Sequence, residues 1–262
     1  MRFGVCTGID DAKKLKQMVA AGMDYVECGF KFLSYATDEE FENAKAALAE
    51  AGIKCEAANS FLPNDFPIAV SSCDKEGLAA FVEKGMSRGA EIGLKTVVLG
   101  SGGARRVPEN VSFREGFNNI SAILRDVISP IAEKYGITVV IEPLRYKECN
   151  IINTVKEGVY LAASSGKENI SGLADIFHMV ESGDTYDDIK DLKGDILHAH
   201  ISYPPQDGSH KRYYPKDINE FDYAGFIEAL TYAGCTRCSI EAGCENFSEE
   251  IALAGKVLCQ LK

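Results

Sequence analysis

Residues 1–11 read MRFGVCTGIDD, a short apolar segment followed by a turn that contains one glycine. The segment Phe3–Thr7 has the length and composition of a buried strand, and Asp11 is a residue type that often begins a helix. A dinucleotide-binding sheet needs a glycine-rich turn after its first strand, and residues 7–11 lack that fingerprint. The first strand and helix therefore argue against an open dinucleotide-binding sheet.

The same unit, an apolar segment followed by a helical segment, recurs along the whole chain. The predicted strands are Phe3–Thr7, Tyr25–Cys28, Lys54–Ala58, Thr96–Leu99, Thr138–Glu142, Ile170–Asp175, Ile196–Ile201 and Cys238–Glu241. The predicted helices are Asp11–Ala21, Asp38–Ala51, Asp74–Ile92, Phe113–Tyr135, Thr154–Ser164, a short acidic one around Tyr186–Leu192, Asp222–Ala233 and Ser248–Cys259. In the second helix, Asp38 is predicted to cap the first turn and Gly52 to end the helix in the left-handed conformation.

Such alternation is compatible with a closed barrel or with an open doubly wound sheet. The length of 262 residues is close to the ~250 residues typical of one (β/α)₈ barrel. No linker or low-complexity stretch divides the chain. The sequence therefore predicts an α/β protein with a single (β/α)₈ barrel domain that spans residues 1–262.

Charge and cysteine usage restrict the partners and the compartment. The formal net charge of −11 gives a field that repels the phosphate backbone of nucleic acids. The nine cysteines are an odd, dispersed set, which is typical of a reduced protein and not of a disulfide scaffold. No signal-peptide pattern is present, and no apolar run approaches the ~20 residues that span a bilayer. We therefore expect a cytoplasmic protein with no nucleic-acid or membrane partner.

Strong metal ligands stand at the ends of the last four predicted strands: Glu142, Asp175, His200 and Glu241. In a (β/α)₈ barrel, side chains at the carboxyl ends of the strands converge on one face, where catalytic groups lie. Each ligand follows an otherwise apolar strand, where a charge is unfavourable unless it is compensated. Any one of them alone could be a salt-bridged strand end, but four at corresponding positions favour one divalent metal site.

Three carboxylates and one imidazole form a mainly hard ligand set. Such a set favours Mn²⁺, Mg²⁺ or Co²⁺ over a thiolate-rich zinc site. We expect Mn²⁺ as the cofactor, with Mg²⁺, Co²⁺ and Zn²⁺ as the alternatives.

Four segments carry the most specific pattern: IEPL (141–144) continuing to ECN (148–150), ADIFHM (174–179), HAHIS (198–202) and SIEA (239–242). They resemble the motifs of xylose isomerase-like TIM barrels, the sugar phosphate isomerase and epimerase family within the AP endonuclease family 2 superfamily. Ketose 3-epimerases, hydroxypyruvate isomerases and inosose dehydratases are the relatives in question, and the resemblance covers nearly the whole chain. It implies that Glu142, Asp175, His200 and Glu241 bind a single divalent metal ion.

The resemblance also implies a reaction on a small sugar, sugar phosphate or polyol. Glu142 and Glu241 would lie on opposite faces of the substrate, one removing a proton from carbon and the other returning it. The metal would stabilise the intervening enediolate. Reprotonation then gives an epimer or an aldose–ketose isomer, and loss of water gives a dehydratase product. The implied function is a metal-dependent sugar isomerase or epimerase, with an inosose-dehydratase-like lyase on a cyclic polyol as the alternative.

The resemblance implies that His178 and Glu148 bind substrate hydroxyls. In ketose epimerases an arginine follows the metal histidine by six positions, and this chain has Gln206 there. The nearest basic residues in the longer loop are His210, Lys211 and Arg212. Arg212 is therefore the candidate substrate-binding arginine, and at this position the chain departs from the ketose 3-epimerase pattern.

Three further features lie at or near strand ends. The glycine-rich loop GSGGARRVP (100–108) is predicted to bind a phosphate or carboxylate through backbone N–H groups and Arg105. The alternative is that its arginines only pair with nearby glutamates or another subunit. Glu27 is a candidate substrate or supporting residue. His198 shares a strand face with His200 and is predicted to be a hydrogen-bonded core residue.

Two rival functions remain on the same fold. AP-endonuclease-like nucleases hold three zinc ions with additional histidines from early strands, whereas this chain has four histidines, all from residue 178 onward. A non-catalytic sugar-binding barrel is expected to lack one or both acid/base glutamates, and both are present. Because relatives often form dimers or tetramers, the resemblance also implies a homo-oligomer.

Overall fold

The computed structural model describes residues 1–262, and its strands form one closed parallel barrel in the order β1 to β8. Each strand pairs with the next in the chain, and β8 pairs with β1. The strands are β1 (Arg2–Cys6), β2 (Tyr25–Gly29), β3 (Cys55–Asn59), β4 (Thr96–Leu99), β5 (Thr138–Ile141), β6 (Ile170–Asp175), β7 (Ile196–Ile201) and β8 (Arg237–Ile240). The predicted α/β architecture, a single (β/α)₈ barrel, is confirmed.

Helices surround the barrel, and one hydrophobic core lies between the two layers. The helices are α1 (Ala12–Ala20), α2 (Phe30–Tyr35), α3 (Asp38–Ala51), α4 (Lys75–Ile92), α5 (Gly102–Arg105), α6 (Phe113–Ile123), α7 (Ser129–Lys134), α8 (Val155–Ser164), α9 (Ile176–Ser182), α10 (Tyr186–Lys190), α11 (Tyr223–Ala233) and α12 (Phe247–Cys259). The short helices α2, α5 and α9, each shortly after a strand, were not predicted. No helix combines the length and the apolarity that crossing a membrane requires.

Two helix predictions need correction. The predicted helix 113–135 is interrupted by a π-helical turn, Leu124–Ile128, between α6 and α7. Pro130 follows this turn, and because proline has no N–H and its ring clashes with the preceding turn, the regular hydrogen-bond ladder cannot continue. The cap of α3 is Thr37 and not Asp38: Glu40 N donates to Thr37 Oγ1 at 3.2 Å, and Thr37 N donates to the Glu40 carboxylate at 2.8 Å. Gly52 ends this helix with a φ of 68°, as predicted.

Packing inside the barrel determines which side chains of β2 point into its interior. Gly4 lies directly against Tyr25, where any Cβ would overlap the tyrosine ring. The Tyr25 hydroxyl lies 2.9 Å from Ser239 Oγ across the barrel. Since side chains two residues apart point to the same face of a strand, Glu27 also points into the barrel, closer to its carboxyl end. The interior therefore presents a buried carboxylate toward the end of the barrel where catalytic groups gather.

Candidate active site

The four predicted ligands, Glu142, Asp175, His200 and Glu241, converge at the carboxyl end of the barrel. One donor atom from each residue lies within 4.8 Å of the others. Nδ1 of His200 lies 3.0 Å from Glu142 Oε1, 3.5 Å from Asp175 Oδ2 and 3.2 Å from Glu241 Oε2. Glu142 and Glu241 directly follow β5 and β8, while Asp175 ends β6 and His200 is the penultimate residue of β7. Neighbouring strands thus bring the four side chains together.

Three carboxylates in this space repel one another. Burial raises the pKa of Glu142, and the charge of Glu241 raises it further. Burial alone would also raise the pKa of Asp175, but neighbouring positive groups, including Arg212, outweigh it and hold that pKa well below the usual range. A buried cluster with three oxygen donors and one nitrogen donor is the type of site that a divalent cation fills. The residues present therefore fit a metal ion of this class.

A carboxylate behind His200 orients its ring. Glu27 Oε1 lies 2.9 Å from His200 Nε2, and Glu27 Oε2 lies 2.8 Å from His198 Nε2, with all three side chains fully buried. Although burial lowers the pKa of His200, the charges of Glu27 and Glu241 outweigh it and raise the pKa well above its usual value. Such pairing fixes which ring nitrogen faces the ligand side. It leaves Nδ1 of His200 directed at the three carboxylates, and it makes His198 the hydrogen-bonded core residue that the sequence predicts.

Arg212 reaches the site from the loop between β7 and α11. Tyr203 and Tyr213 exchange backbone hydrogen bonds of 2.7 and 3.0 Å, which fold this loop back across the barrel end. Arg212 Nη1 then donates to Glu241 Oε2 at 2.7 Å and to Asp175 Oδ2 at 3.3 Å. The structure therefore places the predicted arginine against two of the four ligands.

His178 and Glu148, the predicted substrate-binding residues, lie in α9 and in the loop after β5, respectively. The His178 backbone N–H donates to Asp175 Oδ1 at 2.9 Å, and its Nδ1 accepts from the backbone N–H of Arg145 at 3.2 Å. Glu148 accepts from Arg145 Nε at 2.7 Å. His178 is buried beside a ligand, and Glu148 is a partly exposed group farther out.

A pocket of about 530 Å³ opens on this face. Its volume lies in the range of small-molecule sites. Among the residues that line it are Arg145, Glu148, Phe177, Arg212, Tyr213 and Cys244. None of the four predicted ligands lines the pocket, which adjoins them through Arg212. Glu148 and Arg212 thus face a space that accommodates a small polar molecule.

Arg105 does not reach this pocket. Its side chain is fully buried, and Nη1 donates to the backbone carbonyl of Leu99 at 3.3 Å. Because this side chain is turned into the protein, Arg105 is not among the residues that face the pocket, and its anion contact stays a prediction. The neighbouring Arg106 is also engaged by protein, since its Nη2 donates to the Glu148 carbonyl at 2.7 Å.

Two further residues at the site were not singled out from the sequence. Asn59, the last residue of β3, donates from Nδ2 to Glu241 Oε1 at 3.1 Å. Cys6 ends β1, and its sulfur lies within 4.8 Å of a donor atom of Glu27 and of His200. Both are polar or ligating residues at the carboxyl ends of strands, which is the same signal that identified the four ligands.

The sequence matches the model of a family described as xylose isomerase-like TIM barrel over residues 15–258. An L-ribulose 3-epimerase from Mesorhizobium japonicum is 29% identical over 243 residues, which cover 88% of this chain and 73% of that protein. An inosose isomerase from Bacillus licheniformis is 25% identical over 188 residues, which cover 70% of this chain and 64% of that protein.

Among solved structures, a D-psicose 3-epimerase crystallised in the presence of D-fructose superposes with a TM-score of 0.79. Its sequence is 19% identical, and the match covers 98% of this chain and 90% of that chain. At this level of identity the similarity establishes the shared barrel fold.

Proposed function

Because the chain belongs to the xylose isomerase-like TIM barrel family, we propose that it is a divalent-metal-dependent sugar isomerase or epimerase. The observation that carries the proposal is the convergence of Glu142, Asp175, His200 and Glu241 on one point at the carboxyl end of the barrel. The relatives named L-ribulose 3-epimerase and inosose isomerase support a ketone-bearing sugar or polyol as the substrate. We propose residues 1–262 as one catalytic domain.

The chemistry of the donor set supports Mn²⁺ as the cofactor, with Mg²⁺, Co²⁺ and Zn²⁺ as alternatives. When held by these four residues, a divalent ion would supply Lewis-acid chemistry, polarising a substrate carbonyl and an adjacent hydroxyl so that an enediolate is stabilised. The nine cysteines form no disulfide, which supports a reducing compartment such as the cytoplasm. A homo-oligomer stays a prediction.

We assign proton transfer to Glu142 and Glu241. Glu142 follows β5 and Glu241 follows β8, so their carboxylates approach the His200 ring from different sides of the barrel. Each carboxylate has two oxygens, so one can hold the metal while the other removes or returns a proton at carbon. A substrate between them could be deprotonated by one and reprotonated by the other, which is the requirement for epimerisation.

The remaining polar residues orient the substrate and define its position. Arg212 and Glu148 line the pocket, and Arg212 is close enough to the ligands to bind a substrate oxygen beside the reacting carbon. His178 is held by Asp175 and by the Arg145 backbone, which fixes its ring next to the site. We assign substrate binding to these three side chains.

The inosose isomerase relative supports a cyclic polyol ketone as an alternative substrate class. On such a substrate the same enediolate could lose a hydroxyl group as water, giving the lyase reaction. Product analysis separates the two reactions, because dehydration changes the mass of the product and isomerisation does not.

The test is incubation of the Mn²⁺-loaded protein with a panel of ketoses and inososes in D₂O, with NMR detection of C–H exchange and of products. We expect exchange that stops on chelation and returns with Mn²⁺. Glu142→Gln and Glu241→Gln should each lower the exchange rate by roughly 100-fold or more, the usual contribution of a general acid or base. The matched control Glu39→Gln alters an exposed glutamate on α3 and should change nothing. Absence of bound metal, or full activity in both site variants, contradicts the proposal.

A further inference from the structure

Arg105 is a fully buried cation, and the proposed reaction does not use it. It is the largest of the completely buried side chains, and only Nη1 has a hydrogen-bond acceptor, the Leu99 carbonyl at 3.3 Å. Nε and Nη2 are buried without any partner. Burial of an incompletely paired charge is strongly unfavourable, so a guanidinium at this place needs a reason other than stability.

The guanidinium shares a backbone acceptor with Glu142. The Leu99 carbonyl that accepts from Arg105 also accepts from the backbone N–H of Glu142, at 3.2 Å. One oxygen at the end of β4 therefore holds both the Arg105 side chain and the first residue after β5. Burial lowers the pKa of Arg105, while the nearby Cys149 and Glu142 act in the opposite direction. The positive charge thus lies within electrostatic reach of the Glu142 carboxylate.

Two glycines allow this close approach. A Cβ at Gly100 would overlap the Glu142 carboxylate, so a larger residue there would displace that side chain from its present position. A Cβ at Gly102 would lie 3.0 Å from the Glu148 carbonyl oxygen, and the Gly102 carbonyl accepts from Cys149 Sγ at 3.4 Å. The segment from Gly100 to Arg105 is thus packed tightly against the Glu142–Cys149 segment, where one proposed proton-transfer group and one proposed substrate-binding group lie.

We propose that Arg105 is a positioning residue for Glu142: its guanidinium holds the Leu99 carbonyl that also anchors the Glu142 backbone N–H, and so fixes the backbone from which the Glu142 side chain extends. The inference rests on the proposed function, since it concerns the group assigned to proton transfer and metal binding. This role differs from the anion binding predicted from the glycine-rich loop, since the buried guanidinium does not line the pocket.

The test uses Arg105→Met, which keeps an unbranched side chain and removes the charge. Because Nε and Nη2 of Arg105 have no hydrogen-bond partner, the buried guanidinium is itself unfavourable, and we expect its removal to leave Tm unchanged or higher. We expect kcat for C–H exchange to fall roughly 10–100-fold, because small displacements of a reacting group have effects of this size. KM should stay within about threefold, since the substrate-binding side chains are untouched. Arg105→Lys, which keeps the charge, should recover part of kcat, and Arg125→Met, at an exposed arginine, is the matched control.

Calorimetric titration with Mn²⁺ provides a readout that does not depend on activity. Affinity should fall about tenfold in Arg105→Met, as for other residues that orient metal ligands. If kcat and Mn²⁺ affinity per folded molecule match the wild type, or if the only change is a lower Tm, Arg105 is merely structural and the inference is overturned.

If the wild type shows no exchange on any substrate, the proposed function fails, but Mn²⁺ affinity still decides the role of Arg105. If the wild type binds no metal either, crystal structures of both proteins decide it: a displaced Glu142 carboxylate in the variant supports the inference, and an unmoved one overturns it.

Discussion

The imidazole of His200 lies between the Glu27 carboxylate on one side and three carboxylates on the other, and its two ring nitrogens have different partners. Nε2 contacts Glu27 and Nδ1 faces Glu142, Asp175 and Glu241. A carboxylate on one nitrogen makes the other a better ligand, because it fixes the tautomer and increases the electron density of the ring. Glu27 is therefore as much a part of the site as the residues that would touch a metal.

Replacing Glu27 by glutamine tests this pairing. Glu27→Gln keeps the shape of the side chain but removes the charge and leaves an amide whose orientation must suit both His198 and His200. We expect Mn²⁺ affinity, measured by calorimetry, to fall roughly 10–100-fold with little change in fold. Glu39→Gln should leave the affinity unchanged. Wild-type affinity in Glu27→Gln would show that the orientation of His200 does not depend on this carboxylate.

At the scale of single elements, the non-glycine residues with a left-handed backbone all lie in loops of the carboxyl face. The non-glycine residues with positive φ are Ser60, Ser101, Ile152 and His210, and they follow β3, β4, β5 and β7. A β-branched residue such as Ile152 rarely adopts this conformation. Strained residues of this kind persist where the surrounding structure fixes them, often at functional sites. The strain is confined to the face where the four ligands meet, and periodicity along the sequence does not predict it.

Helix α8 follows one of these loops, and an acid in the connection between α9 and α10 accepts from its first backbone N–H. Asp184 accepts from the backbone N–H of Val155 at 3.0 Å. Burial raises the pKa of Asp184 to about 6, and the charges of Asp188 and Glu157 add to this, while the Val155 hydrogen bond and Lys156 oppose it. The folded protein therefore binds this proton more tightly than the unfolded chain does. The stability contributed by protonation is complete below the ordinary pKa of 3.8 and is lost as the pH rises through about 6.

Asp184→Asn removes this titration but keeps an oxygen that can accept from Val155. The variant should gain stability relative to the wild type as the pH rises from about 5 to about 8. The gain is about 1 kcal/mol once the partial exposure of the group is allowed for. Urea unfolding at both pH values measures it, and Asp187→Asn, at an exposed acid on α10, should show no such difference. A constant difference between wild type and Asp184→Asn at both pH values would falsify the raised pKa.

On the scale of the whole molecule, the barrel and the four converging ligands could be predicted because both follow from local pattern. Apolar strands alternate with capped helices, and polar residues at strand ends of a barrel must lie on one face. The course of Arg105 could not be predicted this way. Arg212, identified from the resemblance to ketose epimerases, lies against Glu241 and Asp175, whereas Arg105 is fully buried and donates to the Leu99 carbonyl. The contacts that place each arginine, such as the Tyr203–Tyr213 pairing beside Arg212, are set by tertiary packing and not by the periodicity of the sequence.

The four ligands belong to β5, β6, β7 and β8, so an ion bound by them would join half of the barrel and stabilise the entire fold. A ligand that binds only the folded state at 100 times its dissociation constant adds about 2.7 kcal/mol to the free energy of unfolding. For a protein of this size that corresponds to an increase in Tm of about 5–10 °C.

We expect this increase when Mn²⁺ is added to chelated protein in a calorimetric scan. Asp175→Asn should lose most of it and Asp65→Asn, at an exposed aspartate, should retain it. Because positive neighbours hold the pKa of Asp175 well below its usual range, its charge stabilises the folded protein even without a cation, and Asp175→Asn should be less stable than the wild type in the chelated state. An equal shift in Asp175→Asn and wild type would mean that the stabilising ion binds elsewhere on this acidic protein.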